Sequence, residues 1–599
     1  MGGGDDSDES EAPLSVNASL AEGMAMEEAE NTKEAREYLR VARRLLSLQM
    51  EHLHEQRALT LSHLRMRRFA DRQKFINQML VTVAAVSIGA FVLTTVRESL
   101  SSRAVIVEPL DAPPAMAARG ISGKVVATSL LDQLIKLQAA SHATADRLSL
   151  SNAWTGDIKV QVPSTGVSIG DIDRLMRARF GHDLHIEGDL VETDAGGLAL
   201  TVRGDGVLPK TFSGAAGDLD KLTTLAAEYV YSQSQPSLFA SYLIDTGRNQ
   251  EAISFCESAY STAPASERPY LLNSWANAVG NIGGSTAQAL ALYRAALALK
   301  PDYWVAYNNV MNSAWAMGDE EGAWRAGEKM RDAAGGRPGR APELYYQNWD
   351  TLTWNLQAWR AAMAADADKT SGAGSLTNSD SPAIADIDAR LHDPADAELQ
   401  LETAQASASD PTIAAMAHFV HGRLAAEAGD NAKAATEMEA FGAAYADPLV
   451  SSDYPGYNCW IAPAEEAAGH PDRADAALKA GGHFVDCYRF RGDILDHRGD
   501  WAGAQRAFAD AVALAPDLPA AYYSWGRALA RHGDLDGAVA KFAAANQRGP
   551  HWADPLKTWG DALMRQGKPN EALEKYNEAL KYAPAWTALQ EARARAAGH

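Results

Sequence analysis

The sequence predicts a mainly α protein: an α-solenoid of paired helices, preceded by a small α/β domain and a single transmembrane helix. Three observations predict it. Small, aromatic and proline residues recur in register every 34 positions near the C-terminus, an uncharged apolar run extends from Phe75 to Val96, and strand-like and helix-like stretches alternate between residues 104 and 234.

Composition narrows the function classes. The chain has 599 residues, more than one core's worth, and a formal net charge of -22, so no nucleic-acid partner is expected of the whole molecule. Its three cysteines, Cys256, Cys459 and Cys487, exclude a disulfide-dense scaffold and a Cys-rich zinc module.

Residues 1–33 are acidic, rich in Gly, Ser and Ala and free of aromatics, and read as a disordered tail. The opening Met-Gly-Gly-Gly-Asp-Asp lacks the Ser or Thr of a myristoylation pattern. Residues 34–74 contain no Gly or Pro, and Val41, Leu45, Leu48, Leu59, Met66 and Phe69 fit alternating steps of four and three. His52, Glu55 and Ser62 interrupt that stripe, so two readings stand: a coiled coil that makes a homo-oligomer, or a solvated amphipathic helix running on toward the membrane.

Residues 75–96 carry no charge, and about 20 such residues cross the ~30 Å hydrocarbon layer as a helix. Arg65, Arg67, Arg68, Arg72 and Lys74 precede the run, whereas Arg97 and Arg103 after it are offset by Glu98 and Glu108. The positive-inside rule then places the N-terminus in the cytoplasm and everything after Val96 across the membrane. The alanine-rich composition points to a bacterium, hence to the inner membrane and the periplasm.

Between 104 and 234, AVIVEPL from Ala104 and DIKVQV from Asp157 read as strands, and the stretches beginning at Gly123, Ser168 and Asp218 as helices. HDLHIEGDLVET from His182 and GLALTVRGD from Gly197 read as a hairpin. This order, with the Pro-containing turn at Val107, Glu108 and Pro109, resembles the TolB N-terminal-like domain that precedes repeats in adenylate cyclase and CadC-type regulators. The resemblance covers about a fifth of the chain and implies a regulatory relative.

Tyr488, Gly492, Leu495, Gly499, Ala504, Phe508, Ala511 and Pro516 are followed by Tyr522, Gly526, Leu529, Gly533, Ala538, Phe542, Ala545 and Pro550, then by Leu556, Gly560, Leu563, Gly567, Ala572, Tyr576, Ala579 and Pro584. The spacing resembles the tetratricopeptide repeat. The first Gly and the Ala let two helices approach, the aromatic fills the gap, the second Gly turns the chain and the Pro ends the unit. Weaker sets occur at Gly247, Ala252, Cys256, Ala259 and Pro264; at Gly284, Ala289, Tyr293, Ala296 and Pro301; at Tyr307, Gly318 and Ala323; at His418, Gly422, Gly429 and Ala434; and at Gly469 with Ala474. The expected organisation is therefore repeats over 235–340, an irregular helical linker with a polar loop over 341–414, repeats over 415–586 and a capping helix over 587–599.

No catalytic constellation emerges. The glycines at Gly120 and Gly204 complete neither a phosphate loop nor a dinucleotide loop, and no HExxH, GxSxG or kinase pattern occurs. His182 with His185, and His418 with His421, lack ligand spacing, so no metal, cofactor or enzymatic activity is expected. Cys256 reads as a packing residue; Cys459 and Cys487 fall in the first helices of successive units, where a disulfide and two free thiols are equally open.

The remaining function is binding. First helices line the concave side of such a solenoid, which nominates Asn308, Asn312, Arg489, Asp493, Tyr523, Arg527, Lys557 and Asp561 as contacts for a protein or peptide partner. A membrane-anchored periplasmic scaffold is the leading expectation. The alternative is a transmembrane regulator acting through a cytoplasmic partner on helix 34–74.

Overall fold

The computed structural model describes residues 103–142, 145, 147–153, 182–337, 341–371, 381–405, 411–446 and 455–598, with scattered positions between 37 and 97. Met1–Ser102 with Asp157–His182 make one unit, and Arg103–Gly156 with Asp183–His599 the other. In the first unit the described positions between 37 and 97 are helical, and Val41, Leu45, Leu48, Phe75, Met79, Leu80 and Val83 are exposed. Among the described residues no helix is long and apolar enough to cross a membrane. The acidic tail, most of helix 34–74 and much of the expected span lie outside the described residues.

The second unit begins with a five-stranded sheet: β1 (Ala104–Val107), β2 (Ser149–Asn152), β3 (Leu184–Glu192), β4 (Leu198–Gly204) and β5 (Val207–Gly214), in the order β2-β1-β3-β4-β5. β1 runs parallel to both neighbours, and β3, β4 and β5 form an antiparallel meander. Alternation dictates which face is covered. Ile186 and Leu190 on β3, with Leu200 and Val202 on β4, are buried, whereas Glu187 and Val191 on the opposite face of β3 are exposed. Helices α1 (Gly123–Ala139) and α2 (Leu219–Ser234) complete that core with Leu130, Leu134, Leu222 and Val230.

The hairpin expected from His182 is β3–β4, but β5 was not anticipated, because its middle residues Leu208 to Thr211 are all exposed and show no inward alternation. The strand expected at 157–162 and the helix at 168–181 lie outside the described residues, and the second parallel strand is β2 instead. The sheet domain shares its core with the first helix of the repeat array. Leu238, Phe239 and Leu243 of α3 (Pro236–Asp245) belong to the same core as Leu130 and Tyr231.

From there the chain is a run of helical hairpins: α3 with α4 (Asn249–Ala259), α5 (Arg268–Asn281) with α6 (Thr286–Leu299), and α7 (Trp304–Ala316) with α8 (Glu320–Ala334). The span expected as a linker holds α9 (Gln347–Thr353), α10 (Leu356–Ser371), α11 (Ser381–Arg390) and α12 (Pro394–Gln405). α11 and α12 form a hairpin sealed by Ala385, Ala389, Ala397 and Leu401, which pack with Val420 on the next helix. Alanine contacts replace the Gly, aromatic and Pro signature, so the hairpin is present without its usual marks. The array continues with α13 (Pro411–Glu427), α14 (Asn431–Tyr445), α15 (Asn458–Ala467), α16 (Pro471–Gly481), α17 (Val485–His497), α18 (Trp501–Leu514), α19 (Pro519–Arg531), α20 (Leu535–Arg548), α21 (Ala553–Arg565) and α22 (Pro569–Ala579). α23 (Thr587–Ala597) caps it, burying Leu589, Ala592 and Ala596 against Tyr576 and Leu563.

The turns arise from two adjacent residues. Gly318, Gly429, Gly499 and Gly533 adopt positive φ, which ends the first helix of each hairpin. The next residue, Asp319, Asp430, Asp500 or Asp534, accepts a hydrogen bond from the backbone N–H three positions on and caps the second helix. In the last hairpin Lys568 stands where Asp would be, and Pro569 starts α22 instead. In the hairpin of α5 and α6 the positive φ sits at Gly283, one residue before the glycine that the repeat register nominates.

The array folds back on itself. The backbone N–H of Val485 donates to Glu320, that of Asp517 to Glu321 at 3.2 Å, and Gln357 Nε2 to the carbonyl of Tyr582 at 2.9 Å, joining residues 165 to 225 positions apart. Trp354 stacks on Trp552 with centroids 4.0 Å apart. An apolar core shared by Met311, Trp349, Val485, Ala511 and Leu518 makes the closure more than a polar contact.

Candidate functional site

Closure divides the concave side into two regions. The upstream one is lined by α3, α5 and α7, around a hollow of about 170 Å³ bounded by Tyr270, Asn273, Asn277, Tyr303 and Asn309. Asn309 Nδ2 donates to Asn273 Oδ1 at 2.9 Å and lies 3.3 Å from Asn277 Oδ1, which also accepts from the Tyr293 hydroxyl at 2.7 Å. Asn277 and Asn309 are half-buried. Each amide carries both a donor and an acceptor, the pair that a peptide backbone also presents.

Of the asparagines nominated from sequence, Asn308 is buried, and Asn312 accepts from Asn348 Nδ2 at 2.7 Å. Asn273, Asn277 and Asn309 escaped nomination. Their signal was legible: Asn273 and Asn277 are four apart on one helix face, and Asn309 comes 36 positions after Asn273, close to one repeat.

The downstream region holds the other nominated residues, and they do not form one open face. Arg489 is buried and pairs with Asp486. The Arg527 guanidinium sits 5.5 Å over the ring of Tyr523, whose hydroxyl burial pushes well above the usual range. Those three line one cavity with Arg390, His392 and Trp354, all from the span expected as a linker. The chain thus fills part of its own concave side.

Asp493 contacts Arg531 at 3.3 Å. Lys557 and Asp561 pair at 2.8 Å, and the Tyr576 hydroxyl donates to Asp561 at 2.8 Å. These sit near the C-terminal end of the array.

Trp460 on α15 is the centre of the cavity's chemistry. The guanidinium carbons of Arg423, Arg489 and Arg390 lie 4.8, 5.1 and 5.5 Å from its ring centroid. Asp386 pairs with Arg390 at 2.7 Å and lies 3.2 Å from Arg423 Nε. Burial pulls the Arg423 guanidinium down to about 10; Asp386 opposes that shift, and Arg390 and Arg489 add to it. At the far end His392 contacts Asp554 and Glu427 and stacks on Trp586 with centroids 3.5 Å apart.

Cys459 and Cys487 form a disulfide with Cα atoms 4.9 Å apart. Gly481 lies against both sulfurs, where a Cβ would approach closer than 3.0 Å. Cys256 is fully buried against Ala240 and Leu271, and burial pushes its thiol up to about 12, the chemistry of a packing residue. The histidines nominated only to be set aside have acidic neighbours that are remote in sequence: His185 contacts Glu108 at 2.8 Å, His418 contacts Glu437 at 2.7 Å and His421 contacts Glu398 at 3.6 Å.

Fold and site together define a helical repeat protein whose inner surface offers amides, aromatics and arginines. Family models of the tetratricopeptide repeat match residues 491–551 and 553–586, so the chain contains tetratricopeptide repeats, a type of repeat that presents extended surfaces to other proteins. No curated protein sequence matches the chain. Among solved structures it is similar to the APC/C hetero-tetramer Cut9–Hcn1, at 16% identity over 64% of this chain and 80% of that one, with a TM-score of 0.31. Yeast Tom70 matches at 12% identity over 60% and 93%, with a TM-score of 0.28. YrrB, described as a tetratricopeptide protein with an unusual peptide-binding site, matches at 19% identity over 32% and 96%, with a TM-score of 0.20. At these TM-scores the three likenesses carry no functional argument.

Proposed function

We propose that the protein is a membrane-anchored periplasmic scaffold whose solenoid holds protein or peptide partners of an envelope assembly. The observation that carries this reading is the 34-residue register, matched by the repeat family models and built into stacked hairpins. The upstream asparagines are its recognition groups: Asn277 and Asn309 are half-buried, and a bound backbone would exchange hydrogen bonds with their amides. Asn312, Asp493, Lys557 and Asp561 extend the contact surface, whereas Asn308 is buried beneath it.

Three features support the anchor and the compartment. The run from Phe75 to Val96 is uncharged, with exposed apolar side chains at its described positions, and its basic flank lies on the N-terminal side. The Cys459–Cys487 disulfide fits an oxidising compartment. Thiol labelling of cysteines introduced before Glu34 and after Val96 in intact cells tests the topology; labelling of the N-terminal position alone by an impermeant reagent would reject it.

The second reading, a transmembrane regulator, draws on the exposed stripe of Val41, Leu45 and Leu48, a surface suited to a cytoplasmic partner or to another copy of the chain. Deleting residues 34–74 with anchoring intact separates the two. Loss of a transcriptional response with partner capture retained favours the regulator.

A further inference from the structure

We propose that the cavity between α11, α13, α15, α17 and α19 binds a small organic anion, a carboxylate- or phosphate-bearing molecule with a flat apolar part. The cavity has a volume of about 340 Å³, within the range of small-molecule sites. Arg390, Arg423 and Arg489 converge on Trp460, and among the described residues only Asp386 and Asp486 pair with them, which leaves three cations against two carboxylates there.

Arg423 is the one whose pairing is incomplete, since it shares Asp386 with Arg390. Its Nε and Nη2, and the Nε of Arg390, are buried and reach no acceptor among the described residues. The 3.2 Å approach of Arg423 Nε to Asp386 is not aligned for donation. Other carboxylates of the cavity are committed: Glu427 to His392, and Asp554 to His392 and the Trp552 indole N–H. A buried guanidinium fork without an acceptor is costly, and a ligand anion removes that cost.

The remaining wall, with Met438, Phe490 and Trp552, is apolar and suits a flat group beside the anion. An extended peptide would need a continuous groove along α17, α19 and α21, and the chain's own Trp354, Arg390 and His392 stand there. The site therefore goes beyond the partner-binding reading and uses a different part of the solenoid.

The test is calorimetric titration of the full chain in a non-ionic detergent with phenyl phosphate, benzoate, inorganic phosphate and the neutral benzyl alcohol. Phenyl phosphate or benzoate is expected to saturate at one per chain, and their relative affinity identifies phosphate or carboxylate as the preferred head. Benzyl alcohol is expected not to bind. Arg423→Gln should weaken binding about tenfold to a hundredfold, as loss of a charge-assisted hydrogen bond does, read at a temperature where the melting curve shows the variant folded. Should that variant fail to fold, Arg423→Lys, which keeps the charge and loses the fork, serves the same comparison. Absence of saturable binding by both aromatic anions at millimolar concentration, or equal affinity in the folded variant, overturns the proposal.

Discussion

At the scale of single residues, the repeats depend on glycines that face aromatic rings. A Cβ on Gly492, Gly526 or Gly560 would lie closer than 3.0 Å to the ring of Phe508, Phe542 or Tyr576 one helix away. Those rings are fully buried and have nowhere to retreat. Gly526→Ala gains about 1 kcal/mol of helix propensity but incurs about 1–3 kcal/mol of overpacking. A net loss is expected, measured as a lower urea midpoint with the slope unchanged.

Two ionisable residues, Glu320 buried and His392 half-buried, set a pH dependence. Burial pushes Glu320 up to about 8, Asp486 adds to this, and the Val485 N–H and Arg489 oppose it. A carboxyl that ionises near 4.5 when unfolded therefore holds its proton in the fold, and its contribution to stability falls between pH 4.5 and 8. For His392 burial disfavours the charged ring, but Asp554 and Glu427 outweigh it and raise the group to about 9. Its contribution is full below the ordinary 6.5 and is lost as pH rises through about 9. Both slopes have the same sign, so the melting temperature should fall from pH 6 to pH 9. Glu320→Gln should flatten the lower part of that fall, and His392→Gln the upper part. A rise in melting temperature over this range would contradict the assignment.

At the scale of elements, each hairpin is started and stopped by local chemistry. Asp534→Ala removes the acceptor for the Gly537 N–H and should cost about 1 kcal/mol. Replacing both Cys459 and Cys487 by Ser opens a loop of 28 residues and should cost about 3–4 kcal/mol on the loop-entropy argument, read as a shift in the denaturation midpoint under non-reducing conditions. The legibility of elements tracked these devices. Repeats with Gly-Asp turns, a helix-facing aromatic and a terminal Pro were visible down to the residue. The hairpin of α11 and α12 was not, because Ala385, Ala389, Ala397 and Leu401 make its contacts with the most common helix formers. β5 was missed for the related reason that an exposed edge strand need not alternate.

At the scale of the molecule, the decisive feature is closure of the array, and no short stretch of sequence encodes it. Glu320 meeting Val485, Trp354 meeting Trp552 and His392 meeting Asp554 are contacts between hairpins that are not neighbours in the chain. A concave surface drawn repeat by repeat places Arg489, Tyr523 and Arg527 inward, and they line one cavity, but it cannot show that the chain itself comes to meet them. The upstream inner surface is the region where a hollow faces the amides of Asn273, Asn277 and Asn309 without a hairpin of the C-terminal repeats among its lining residues.

That distinction makes the central claim measurable. A photo-reactive residue is placed at Asn277 or Asn309 in the full chain and activated in the native host, with the exposed Gln288 of α6 as the control position. The scaffold account predicts the same protein partner crosslinked from both inner positions and not from Gln288. Recovery of no partner from either inner position, or an identical set from all three, would contradict it.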